Sequence, residues 1–173
     1  MTPSASTLRR AALCAGLLAC AAPAWSAQVA SVALPPTETV HGTQLQLVGC
    51  STREKLWLDL YAVSLYLPQE MASVARMTDD QVPKLVRLDV TYDGQVPNGL
   101  PSEWKQRLQG QVSQEFMQTL ERQYNALRGG DMVRVSYAPG SGTTLSVNGN
   151  TIATRPGQRG AWIGWLVLRS WAE

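Results

Sequence analysis

The chain has 173 residues, with 15 Lys and Arg against 13 Asp and Glu and a formal net charge of +2. Arg9 and Arg10 precede an apolar run over residues 11–22 that ends at Pro23 and small residues, the pattern of a secretory signal peptide cut after Ser26. Removing those two arginines leaves 13 basic against 13 acidic residues, so no basic run remains to track a phosphate backbone, and nucleic-acid binding is disfavoured.

Residues 1–26 are therefore expected to be a leader, and the mature protein to be periplasmic. The apolar run is too short for an ordinary transmembrane helix, and no second run of spanning length follows. Leu17-Leu18-Ala19-Cys20 offers a second processing route, in which Cys20 would carry a lipid anchor. What remains, residues 27–173, suits one domain with one core. Cys14 and Cys20 leave with the leader, so Cys50 has no disulfide partner and is expected to be a small buried residue.

Residues 27–34 read as a short edge strand stopped by Pro35-Pro36. Residues 43–48 alternate as a strand, which Gly49 is expected to turn into a second one. That second strand, residues 56–67, carries Trp57, Leu58, Leu60, Tyr61, Val63, Leu65, Tyr66 and Leu67. A strand so apolar is covered on both faces or lines a cavity. Arg53 stands just ahead of it, a cation beside hydrocarbon. It could be solvated or paired with Glu54 or Asp59, or it could hold the oxygen-bearing end of an apolar ligand.

Residues 70–77 read as a short helix or turn. Residues 84–92 read most clearly as a strand by period two, with Val86, Leu88, Val90 and Tyr92 on one face and Leu85, Arg87, Asp89 and Thr91 on the other. Pro101-Ser102-Glu103 opens one long helix, its stripe of Trp104, Leu108, Val112, Phe116, Leu120 and Tyr124 facing the core, with Gly129-Gly130 as the stop. Residues 131–137, 144–147 and 150–154 form a meander closed by the Asn148-Gly149 hairpin signal. A terminal helix is expected over residues 161–171. Helices segregated from a largely antiparallel sheet define an α+β fold.

Enzyme signatures are scarce. One His, His41, and one mature Cys cannot build the usual zinc site, and no metal or cofactor is expected. There is no G-x-S-x-G elbow and no Gly-Lys-Ser or Gly-Lys-Thr phosphate loop.

Gly49-x-x-x-Arg53, the run from Leu60 to Leu67, the long helix, Gly130-Asp131 before Val133-Arg134-Val135-Ser136-Tyr137, Pro139-Gly140-Ser141-Gly142-Thr143 and Asn148-Gly149 follow one another in a familiar order. Together they resemble the chalcone isomerase-like family, in particular its exported bacterial branch, over roughly residues 38–171. The resemblance implies an open-faced sandwich: a large antiparallel sheet with helices layered on one face and a ligand cleft between them. It also implies an arginine at Arg53 that steadies an anionic oxygen in catalytic members and takes a carboxylate in fatty-acid-binding ones. The catalytic threonine of plant members, just before the Ala-Val pair, is Tyr61 here. Their catalytic tyrosine and asparagine have no counterpart over residues 100–107.

The expectation is a binding protein for an amphipathic small molecule or lipid, a fatty acid or similar carboxylate. Arg53 and Tyr61 would hold its head, and apolar strand residues including Val63 its tail. The alternative is an isomerase, an intramolecular lyase of enone or chalcone-type substrates, with Arg53 as oxyanion stabiliser and Tyr61 as proton donor or relay.

Overall fold

Seven antiparallel strands pair in simple sequence order, each with the one before it. The structure, a computed structural model, describes residues 27–29, 32–55, 58–71, 76–96 and 99–156. A small hairpin comes first, β1 (Ala27–Val29) with β2 (Val32–Leu34). The main sheet then runs β3 (Thr37–Val40), β4 (Thr43–Lys55), β5 (Leu58–Leu67), β6 (Lys84–Val90), β7 (Met132–Ala138), β8 (Gly142–Val147) and β9 (Asn150–Arg155). Helices α1 (Ser102–Leu108) and α2 (Gln114–Ala126) sit between β6 and β7 in the chain. The α+β class and the sheet-plus-helices architecture are as the sequence implies.

Two-residue turns organise the hairpins. His41 and Gly42 both have positive φ, as do Asn148 and Gly149, which is the geometry that matches the twist of flanking strands. His41 is exposed at the first of these tips. The edge strands of the main sheet are β3 and β9, and the expected strand over residues 27–34 is instead the separate β1–β2 hairpin.

Gly49 does not turn the chain. It lies inside the thirteen-residue β4, where the register slips between Leu47 and Gly49. A glycine without a Cβ lets a strand bulge and bend without ending. Arg53 is consequently a strand residue, not a residue at the mouth of the next strand. The expected long helix is also two helices. Gly110 adopts a φ of +78° after α1, and Ser113 restarts the chain by accepting a hydrogen bond from the Phe116 N–H at 3.2 Å. The apolar stripe continues through the break because both helices lie on the same core. In the described part of residues 70–77 the expected helix or turn is a 3-10 turn, Gln69–Met71, with Arg76 also in 3-10 conformation. The leader, Cys20 and the terminal helix expected over residues 161–171 lie outside the described residues.

Every residue of β5 from Leu60 to Leu67 is buried, so this strand is covered on both faces. On one face Tyr61, Val63, Leu65 and Leu67 join Val86, Leu88, Val135 and Leu145 beneath Leu108, Phe116 and Tyr124 of the helices. On the other, Tyr66 packs with Val40, Leu45 and Leu85, its hydroxyl donating to the Pro35 carbonyl at 3.1 Å. The sheet curls strongly on that second side. Glu38 on β3 reaches Arg87 on β6 at 3.1 Å and Arg134 on β7 at 2.8 Å, across the space between non-adjacent strands.

Candidate functional site

Arg53 and Tyr61 are directly opposite each other on β4 and β5. Opposed residues of an antiparallel pair project to the same face, so both stand on the helix side. The register is regular from Gly49 to Arg53, which places Ser51 and Val63, the next pair along, on that face too.

The helices complete the site from above. The Glu103 carboxylate of α1 lies 4.0 Å from the Arg53 guanidinium, with about a third of each side chain exposed. The Trp104 ring lies 6.1 Å from Tyr61, tilted at 53°, and 6.1 Å from Tyr124 of α2, edge-on at 70°. The Tyr61 and Tyr124 hydroxyls share a hydrogen bond. Lys105 pairs with Glu121 at 2.6 Å, and Asn125 accepts from the Gly99 N–H at 2.6 Å, tying α1 and its leading loop to α2.

Burial dominates the titration of the two phenols. Tyr61 is pushed far above the ordinary phenol range, first by burial and then by Tyr124 beside it, with Arg53 pulling in the opposite direction. Tyr124 is likewise raised by burial, against the lowering effects of its bond to Tyr61 and of Arg53. Both are neutral hydroxyls at physiological pH, able to donate hydrogen bonds and unsuited to abstracting protons. Between two hydroxyls that share one hydrogen bond, a second hydrogen is left to offer elsewhere.

Beside this cluster an apolar cavity of about 50 Å³ lies between helices and sheet. Val63, Val86, Leu88 and Val135 form its floor, while Leu108, Leu120 and the rings of Trp104 and Tyr124 close it from the helix side. Of the three expected site residues, Val63 lines the cavity. Tyr61 borders it through the two rings it touches, and Arg53 stands outside it at the more exposed end. The sequence treats Tyr124 as one more residue of an apolar stripe; its hydroxyl role depends on where α2 lies. Cys50 is half-buried, and burial raises its thiol above the usual range, so it is not an activated nucleophile. Among the described residues no group of His, Cys, Asp and Glu side chains is placed to hold a metal ion.

The fold, a seven-stranded antiparallel sheet with two helices packed over a cavity on one face, defines the class. The chalcone isomerase-like family matches residues 26–161, and the chain belongs to that family. Among solved structures it is similar to a fatty-acid binding protein of Arabidopsis thaliana, with a TM-score of 0.59 and 13% sequence identity over 83% of this chain and 87% of that one. No curated protein sequence matches. No helix of the described residues is long and apolar enough to cross a membrane.

Proposed function

We propose that this protein binds an amphipathic carboxylate, a fatty acid or a similar acid, in the space between α1, α2 and the sheet. The observation that carries the reading is the direct pairing of Arg53 with Tyr61 at the border of the apolar cavity. The guanidinium takes the carboxylate, a task for which its planar fork is suited. The Tyr61–Tyr124 pair supplies a neutral hydrogen-bond donor, and Val63 and the cavity wall receive the hydrocarbon. Glu103 beside Arg53 supports this, because it is a carboxylate already attracted to the same cation. The similar Arabidopsis chain is a fatty-acid binding protein, which favours an acyl acid among the possible carboxylates.

The cavity of about 50 Å³ is roughly a third the size of one that takes benzene, ~150 Å³. A long acyl chain therefore enters only as the helices part from the sheet, with hydrophobic contacts along the tail compensating those that separate. Native mass spectrometry of the purified protein, and titration with C12 to C18 acids followed by Trp fluorescence, test the reading. No co-purifying acid and no saturable binding would sink it.

A second reading rests on the same cluster: a guanidinium beside neutral phenols also suits an enolate oxygen, as an isomerase of enone substrates requires. Conversion of chalcone to flavanone above background, abolished by Arg53→Ala, is its signature. The leader pattern supports a periplasmic location, and with it the reading of the chain as an exported member of the family. Intact mass of protein recovered from a periplasmic extract checks this, the expected N-terminus being residue 27.

A further inference from the structure

On the cleft face of β4, two residues from Arg53, the Ser51 Oγ is shielded from solvent and has no hydrogen-bond partner among the described residues. Buried hydroxyls are almost always paired, since leaving one unpaired costs stability that an alanine in the same place would not. Ser51 lies opposite Val63, and Val63 lines the cavity. That neighbour is hydrocarbon and offers the hydroxyl nothing. Its partner has to come from something that enters the cleft.

We propose that Ser51 is a specificity residue, selecting acyl acids that carry a hydroxyl or keto oxygen three to seven carbons from the carboxylate over plain fatty acids. The inference rests on the proposed seating of the carboxylate at Arg53. Two strand residues span about 7 Å, and an extended chain with C–C bonds of about 1.5 Å advances roughly 1.3 Å per carbon. A ligand oxygen about five carbons along thus comes level with Ser51, and the different lengths of the Arg and Ser side chains widen the window by a carbon or two. A serine hydroxyl both donates and accepts, so alcohol and ketone fit alike. A plain chain passing the same point would keep Ser51 unpaired. An oxygenated chain pairs it, and pairs its own oxygen too.

The test compares dodecanoic acid with its 5-hydroxy and 12-hydroxy derivatives by calorimetric titration of the mature protein, Ser51→Ala, Ser51→Thr and Arg53→Ala. The wild type is expected to bind 5-hydroxydodecanoic acid about 5–50-fold tighter than either of the others. In Ser51→Ala the preference disappears or reverses, because the ligand hydroxyl is then buried without a partner, while the thermal midpoint holds or rises. Ser51→Thr keeps the hydroxyl and the preference. Equal affinities in the wild type, or a preference that survives Ser51→Ala, overturn the assignment while leaving carboxylate binding intact. Failure of all three acids to bind the wild type, or affinities unmoved by Arg53→Ala, overturns the seating at Arg53 and this inference with it.

Discussion

Arg53 and Tyr61 face one another across β4 and β5, the guanidinium toward the more exposed end of the cleft and the phenol sealed beneath Trp104. In the proposed reading, this cation and neutral donor, held side by side on one sheet face, form the head-group site and require no movement of the sheet. The helices, on the same reading, carry the groups that yield when a ligand enters.

Replacing Arg53 by Ala should weaken binding of a fatty acid by about 10–100-fold, the range expected for loss of a charged hydrogen-bonding partner in a partly solvated site. The thermal midpoint should change little, since the side chain is a third exposed. Isothermal titration at two salt concentrations checks both the loss and its electrostatic origin: the wild-type affinity falls with salt and that of the variant does not.

Glu103→Gln should act in the opposite direction. Glu103 competes for the guanidinium at 4.0 Å, and removing its charge weakens that competition. A several-fold gain in affinity for the acid, with none for the corresponding neutral alcohol, is the expected result. Equal gains for acid and alcohol would point to loosened helix packing instead.

Tyr61→Phe and Tyr124→Phe each remove one half of a buried hydroxyl pair. Either change should cost about 1 kcal/mol of stability in denaturant unfolding, and the double variant less than the sum, because the partner is no longer left unpaired. Affinity for the acid should fall about 5-fold or more with Tyr124→Phe, since Tyr124 lines the cavity as well as pairing with Tyr61.

Lys84 supplies the pH dependence. Its side chain is fully buried, donates to the Met77 and Asp79 carbonyls at 2.9 and 2.6 Å, and lies 5.5 Å from the Tyr137 ring. Burial lowers its pKa to about 8, against the opposing pull of Asp80 and Asp79. The unfolded chain therefore holds more protons than the folded one above pH 8, and stability from this group rises with pH until the unfolded lysine also titrates near its usual value of 10.5. Relative to Lys84→Met, the wild type should gain about 2 kcal/mol between pH 8 and pH 10, read from urea midpoints at each pH. Taking the difference removes the tyrosines, whose raised values act in the opposite sense above pH 10. A flat or falling difference would show that Lys84 stays charged throughout.

Glu38→Gln tests the curl of the sheet. Arg87 and Arg134 are opposed on β6 and β7, like charges that Glu38 and Asp89 hold together. Glu38 is only 11% exposed, so neutralising it should cost about 2 kcal/mol, more than a surface pair and less than a fully buried one. Ligand binding on the opposite face should be unaffected.

The resemblance to one family and the α+β class were legible because strand alternation, hairpin turns and helical stripes are near-neighbour properties. Asn148-Gly149 makes its turn wherever the flanking strands go, and β6 repeats Val86, Leu88 and Val90 at every second position of its own sequence. Gly49 and Gly110 resist the same treatment. A glycine can mark a turn, a bulge or a helix break, and only the pairing of β4 with β5 shows that Gly49 flanks a bulge at Val48. Arg53 was readable as the residue of interest from its order among the motifs, yet its place within β4 follows from that bulge.

Taken alone, the amino-acid order determined which segments alternate, which faces are apolar and which single arginine borders them. It could not reveal that Tyr124 shares a hydrogen bond with Tyr61, that Glu103 meets Arg53, that Glu38 crosses to Arg87, or that Ser51 is left without a partner. Those relationships join residues far apart in the chain, and packing decides them. A buried polar group takes whatever partner the fold brings within about 3 Å, and no local pattern records that distance.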